Sequence, residues 1–181
     1  MNRTRMVFSG SGGQGVITAA IVLAEAAVIH EGLTAVQTQV YGAAARGGAT
    51  RSDVIISDTD ILYPKVIQPN VLVCLTQEAY NKFYGIIRPG GVLLTDSRYV
   101  KVHAKVDAKH TELPMFQSVM SAIGKPIVFN VCMLGAVVAL TGLVSIDSVM
   151  KVLQTRIPEQ FVEMNRQALQ LGADLAKPAG S

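Results

Sequence analysis

The stretch Arg5-Met6-Val7-Phe8-Ser9-Gly10-Ser11-Gly12-Gly13-Gln14-Gly15-Val16 decides the fold class. Arg5 to Ser9 is a short β-prone run and Gly10 to Gly15 is a glycine loop. From Val16 to Ile29 apolar residues recur at Val16, Ala19, Ala20, Leu23 and Ala27, the spacing of one helical face. Strand, tight turn and helix therefore follow in that order. Gly32 stands where a left-handed C-cap belongs, and Thr34 to Val40 resumes a strand-like alternation, so the opening of the chain predicts a βαβ unit.

Working outward, Ser52 to Ser57, Val71 to Leu75 and Val92 to Thr95 read as strands, the second as one covered on both faces. Val100 to Val106 alternates, with Lys101, His103 and Lys105 on one side, and predicts a half-exposed strand. Between strands, Asp58 to Asn70 is a long connection carrying Pro64 and Pro69. Helices are predicted from the Thr76 cap through Ile87, over Pro114 to Ile123 with Gly124 closing it, over Val131 to Leu140, over Ile146 to Arg156 behind Ser145, and from Pro158 to about Ala176. The tail from Lys177 to Ser181 is expected to fray. The expectation is a single α/β domain over residues 1–181. It has three layers, a mostly parallel and possibly mixed sheet, and a Rossmann-like glycine loop after the first strand. Ligands of such sheets sit beyond the carboxyl ends of the strands, where this loop and the segment Tyr41 to Gly48 both emerge.

Composition narrows the function. The chain has 181 residues, half of them apolar, enough for one core without disulfides or metal. Its two cysteines, Cys74 and Cys132, lie in valine- and leucine-rich runs and read as buried thiols. Two separate cysteines cannot supply a four-thiolate site, so no iron–sulfur cluster or structural zinc is expected in this chain. The formal charge of +3 comes without any block of like charges, which speaks against nucleic acid as a partner. The longest apolar run, Val131 to Leu140, is about half the ~20 residues a bilayer requires, so no membrane partner is expected and the run reads as a buried core or interface helix. The N-terminal apolar stretch is shorter than a secretory signal, which places the chain in the cytoplasm.

The loop Gly10-Ser11-Gly12-Gly13-Gln14-Gly15 fits G-x-G-x-x-G between a strand and a helix, a context that turns backbone N–H groups towards phosphate. A dinucleotide domain also needs an acidic residue near the end of the second strand, and Thr34 to Gln39 offers none, nor a basic substitute for a 2′-phosphate. The glycines also serve a tight turn and close helix–sheet packing with no ligand at all. Gln14, a polar amide at the mouth of the loop, favours contact with a ligand or a partner.

The most informative second stretch runs Thr38-Gln39-Val40-Tyr41-Gly42-Ala43-Ala44-Ala45-Arg46-Gly47-Gly48-Ala49-Thr50-Arg51-Ser52-Asp53-Val54. Its small residues allow close approach of a ligand or another chain, and Arg46 presents a planar fork suited to phosphate or carboxylate. Together with G-S-G-G-Q-G-V, it resembles the gamma subunits, or gamma domains, of 2-oxoacid:ferredoxin oxidoreductases. That family shows a G-x-G-G-Q-G-V loop followed by a tyrosine-glycine, R-G-G and R-S-D-V array. The resemblance continues through Ile61-Leu62-Tyr63-Pro64, Asn130, Ser145-Ile146-Asp147 and Pro158-Glu159, nearly the whole chain. The spacing Y-G-x-x-x-R-G-G is most similar to the 2-oxoglutarate branch. Ala43, Ala44 and Ala45 stand where many relatives carry P-E-A, which keeps gamma subunits for pyruvate or 2-oxoisovalerate as alternatives. A free-standing nucleotide-binding module is the further alternative.

The resemblance implies a non-catalytic subunit, inactive alone, of an enzyme that oxidatively decarboxylates a 2-oxoacid to an acyl-coenzyme A and passes electrons to ferredoxin. It implies alpha and beta subunits, and in some assemblies a ferredoxin-like delta subunit, which hold thiamine diphosphate, magnesium and 4Fe-4S clusters. It assigns Gly12, Gly13, Gln14, Gly15, Tyr41, Gly42, Arg46, Gly47 and Gly48 to the coenzyme A side or to contact with a partner subunit. No catalytic residue and no metal ligand is expected in this chain.

Overall fold

A computed structural model of the chain describes residues 3–40 and 48–177. Six strands, β1 (Thr4–Gly10), β2 (Thr34–Val40), β3 (Thr50–Ser57), β4 (Val71–Cys74), β5 (Gly91–Asp96) and β6 (Ala108–Leu113), form one sheet in the order β2-β3-β1-β4-β5-β6. β1, β4, β5 and β6 pair in parallel, whereas β3 runs antiparallel to both β1 and β2. The sheet is therefore mixed, and the βαβ unit is split: β1 and β2 run in the same sense with β3 between them. Burial explains the insertion. Ser52 to Ser57 of β3 are buried throughout, as a strand covered on both faces requires, while Thr34 to Gln39 are only half buried and suit an edge.

The helices are α1 (Val16–Glu31), α2 (Gln77–Phe83), α3 (Met115–Ala122), α4 (Phe129–Thr141), α5 (Ile146–Arg156) and α6 (Val162–Ala176). Their ends carry the signals read from the sequence. Thr76 Oγ1 accepts from Ala79 N–H at 3.1 Å, Ser145 Oγ accepts from Ser148 N–H at 3.1 Å, and Gly32 closes α1 in the left-handed region at φ 66°. Pro158 opens a short 3-10 turn, Glu159–Phe161, rather than the helix itself, which starts at Val162. Lys177 closes α6 through an ion pair with Asp174 at 2.7 Å, and residues 178–181 of the expected frayed tail lie outside the described residues.

The layers are unequal. α1, α3, α4, α5 and α6 share one core with Met6, Phe8, Val54, Ile56, Val71, Val73 and Leu94. The opposite face, with Val7, Ile55, Leu72, Cys74 and Leu93, is covered by α2 and by the connections that carry Val66 and Val100. Among the described residues, no helix is long and apolar enough to cross a membrane.

The half-exposed strand expected over Val100 to Val106 is not a strand. The segment is irregular, with a bend at Ala104, and pairs with no strand; α2 side chains take up two of its N–H groups: Lys101 N–H donates to Gln77 Oε1 at 2.7 Å, and Ala104 N–H to Tyr80 Oη at 3.2 Å. His103 lies edge-on to Tyr80 and bonds Asn81 at 2.9 Å. The alternation records one-sided burial of Val102 and Val106 on that face, not a ladder. The ladder forms immediately afterwards, at the polar edge strand β6.

α4 is buried inside this chain, chiefly against α6, so its all-round apolarity marks a core helix. The two backbones touch: a Cβ added at Gly172 would fall on the Cys132 carbonyl, and one added at Gly135 on the Leu169 carbonyl. These obstacles are main chain and cannot swing aside. Gly172→Ala should therefore lose stability although alanine favours helix by about 1 kcal/mol. Overpacking of about 3 kcal/mol leaves a net cost of about 2 kcal/mol, or about 4–8 °C in Tm. Thermal melting checks this, and an unchanged or raised Tm would contradict it.

Candidate functional site

The glycine loop leaves β1 at Gly10, whose backbone partner across the sheet is Thr50, and Val40 is paired with Arg51. The loop at residues 11–15 and the stretch that joins β2 to β3 are thus anchored at the same end of the sheet, beyond the carboxyl ends of β4 and β5. Within the loop, Gln14 turns back on its own chain: its Oε1 accepts from Ser11 N–H at 2.8 Å, and its N–H donates to Ser11 O at 3.3 Å. Gln14 is therefore a brace of the loop as well as part of its surface, and Gly10 leaves room for it. Gly13 and Gly15 hold φ of 87° and 73°, a conformation glycine adopts without penalty.

Asn130, the second residue of α4, packs against Gly15. Its Nδ2 donates to Gly15 O at 3.3 Å, while its Oδ1 is buried with no hydrogen-bond partner among the described residues. The amino ends of α1 and α4 both border this point. Neither has a side-chain cap and neither carries an acidic residue in its first turn. At α4 the Phe129 N–H is taken up by Pro126 O of the preceding 3-10 turn, whereas α1 starts directly from the loop, and free N–H groups at such an end favour a negatively charged group. Beside them opens a pocket of about 350 Å3, walled by Gly13, Gln14, Gly15, Tyr99, Phe116 and Asn130 among others. Its aromatic wall is continuous: Tyr99 and Phe116 meet edge to face at 5.2 Å, and Phe116 and Phe129 at 5.5 Å.

Asp96, at the end of β5, holds that wall in place. Its carboxylate accepts from Arg98 N–H at 2.9 Å and from Phe116 N–H at 2.8 Å, fixing the turn that carries Tyr99 to the start of α3. Burial pushes its pKa up from the ordinary value, and the backbone N–H donors, led by Phe116, pull it back. The arrangement can bind and orient an anionic ligand with an apolar portion. Among the described residues no three His, Cys, Asp or Glu side chains gather to hold a metal. Cys74 and Cys132 are buried, and burial pushes both thiols up to about 12.

Of the residues singled out from sequence, Gly12 and Gly13 are exposed, Gln14 and Gly15 half buried, and Gly48 half buried just before β3. Tyr41, Gly42, Arg46 and Gly47 lie outside the described residues. The R-S-D-V end of the array has a structural role. Arg51 grips Asp53 with two contacts, Nε to Oδ1 at 2.6 Å and Nη2 to Oδ2 at 2.8 Å, and reaches Val66 O at 2.8 Å. Ser52, on the other face, accepts from Gln37 Nε2 at 2.7 Å. Asp96, Tyr99, Phe116 and Phe129 escaped sequence reading, and Asn130 entered it in the resemblance and as the residue ahead of the apolar helix, not as part of a pocket. A local signal existed for Asp96, an acid at a strand's carboxyl end; the aromatic residues gave none, because they converge from separate segments.

Comparison with known proteins agrees with this geometry. Residues 5–175 match the family model described as pyruvate ferredoxin/flavodoxin oxidoreductase. The 2-oxoglutarate synthase subunit KorC of Methanocaldococcus jannaschii is 42% identical over 177 residues, covering 97% of this chain and 95% of that one. The crystal structure of a keto/oxoacid ferredoxin oxidoreductase gamma subunit from Geobacter sulfurreducens superposes with a TM-score of 0.89 at 43% identity, covering 97% of each chain. A 2-oxoglutarate:ferredoxin oxidoreductase from Magnetococcus marinus, solved with 2-oxoglutarate, coenzyme A and succinyl-CoA bound, shares the fold with a TM-score of 0.87 at 21% identity, over 97% of this chain and 31% of that one. The chain belongs to the pyruvate ferredoxin/flavodoxin oxidoreductase family and is a gamma-type subunit within it.

Proposed function

We propose that this chain, acting as one domain, is the gamma subunit of a cytoplasmic 2-oxoglutarate:ferredoxin oxidoreductase, required for oxidative decarboxylation of the 2-oxoacid to an acyl-coenzyme A. The observation that carries the reading is full-length identity of 42% to a 2-oxoglutarate synthase subunit. Thiamine diphosphate, magnesium and 4Fe-4S clusters belong to the alpha, beta and, where present, delta partners. This chain's residues do not fit a cluster: its two thiols are far from each other's segments in the sequence, buried, and held protonated.

Coenzyme A does fit the glycine-loop end. When bound it supplies the thiol that accepts the acyl group. Its phosphates suit the uncapped amino end of α1, its donor groups suit the unpartnered Asn130 Oδ1, and the aromatic wall suits its less polar parts. Gly13, Gln14 and Gly15 line the pocket on its loop side, and the resemblance assigns Gly12, Tyr41, Gly42, Arg46, Gly47 and Gly48 to the same role. The chain's part is to bind, orient and exclude water, not to take or give a proton.

Co-expression with its catalytic partners should give 2-oxoglutarate-dependent reduction of a viologen dye, with none from this chain alone and none from the partners without it. Turnover that is unaffected by omitting the chain would contradict the reading. Arg46→Ala removes one charge-assisted contact of about 1.5–3 kcal/mol, so the KM for coenzyme A in the assembled enzyme should rise about tenfold or more. An unchanged KM would remove Arg46 from the site.

A further inference from the structure

A second surface lies at the opposite end of the sheet, and neither the glycine loop nor the coenzyme A reading uses it. A pocket of about 530 Å3 opens there between Arg5 at the start of β1, the connection that carries Tyr63, Lys65 and Ile67, and Arg88 before β5. Its frame is pinned by hydrogen bonds that main-chain N–H groups donate. Arg5 N–H donates to Asn70 Oδ1 at 2.9 Å, Asn70 N–H to Arg5 O at 2.7 Å, and Arg88 N–H to Pro69 O at 3.1 Å. Pro64 and Pro69 stiffen the same connection.

Two observations there need explaining together. The side chains of Arg5, Lys65 and Arg88 converge on one pocket, and none forms an ion pair with a carboxylate among the described residues. Tyr63 and Ile67 line the same pocket, and with Leu62 of the same connection they are 53%, 68% and 90% exposed, a concentration of large apolar side chains in water on one short segment. A small anion would answer the charges and leave the apolar residues wet. A nucleic acid would need a longer basic track, and the chain's formal charge is only +3. A protein segment that presents carboxylates among aliphatic side chains satisfies both features at once, by complementary charge and by covering the apolar rim.

We infer that Arg5, Lys65 and Arg88, with Leu62, Tyr63 and Ile67, form a docking surface for an acidic, aliphatic segment of the catalytic partner subunits. This rests on the gamma-subunit reading and adds the place of contact and its chemistry. The contact holds the chain by the amino ends of its strands, which leaves the glycine-loop end open.

The test measures binding of the full chain to the purified catalytic subunits across a salt series. The charge reversals Lys65→Glu and Arg88→Glu are made together, Leu62→Ser and Ile67→Ser together, and Lys82→Glu with Lys151→Glu serves as the control; the melting of each confirms that it is folded. The reversal should weaken binding about 30-fold or more and flatten its salt dependence. The apolar pair should weaken binding about tenfold with the salt slope kept, and the control should stay within about twofold. If the wild-type complex forms and the reversal binds equally well, the docking surface is overturned and the subunit reading stands. If the wild-type chain binds no catalytic subunit, both are overturned. If the wild-type chain is a dimer by sedimentation and the reversal makes it monomeric, the face belongs to a second copy and the inference is overturned.

Discussion

The antiparallel seam between β1 and β3 governs the arrangement of the end of the sheet that carries the candidate site. It sets Gly10 opposite Thr50, so the first glycine loop and the entry into β3 start from adjacent points. The same register puts Met6 and Phe8 into one core and Val7 into the other. A slip of one residue would exchange these faces, so the apolar pattern of both strands holds the seam in place. On β3 itself, Ser52 ties the strand to β2 through Gln37, and Arg51 grips Asp53 and ties the strand to the following connection at Val66. The position of the candidate site is thus a consequence of core packing rather than of any contact made within the loop.

A second constraint reaches the same place from the helical layer. Gly135 and Gly172 let α4 and α6 approach until main chain meets main chain. Close packing of that kind fixes a helix in rotation as well as in position. Asn130, near the amino end of α4, is thereby carried against Gly15, where its Nδ2 holds the loop carbonyl and its Oδ1 is left over. An acceptor buried without a partner costs on the order of 1–3 kcal/mol. Such a cost is tolerable where a ligand donor removes it.

Much of this was legible in the residues. The caps at Thr76 and Ser145 and the left-handed glycines Gly32 and Gly124 that end α1 and α3 follow from local chemistry, and the chain obeys it; α4 starts ahead of its apolar run, at Phe129 behind a short 3-10 turn. The insertion of β3 between β1 and β2 was not legible, because strand order is decided by which strand buries more surface. The segment Val100 to Val106 misled because alternation reports one buried side and cannot say whether a strand or a helix lies beneath it. At the site, the glycine loop was visible from its spacing. The aromatic wall and Asp96 were not, since Tyr99, Phe116 and Phe129 meet only after folding. Arg46, the cation most prominent in the sequence, lies outside the described residues, so its role rests on the resemblance and on chemistry.

The central claim is that the glycine-loop end of this subunit meets coenzyme A within the assembled enzyme. Hydrogen exchange of the complete assembly, with and without saturating coenzyme A, tests it most directly. The account predicts slower exchange of the Ser11 to Gly15 amides and of those around Phe129 and Asn130 when coenzyme A is present. Unchanged exchange across both stretches at saturation would contradict it.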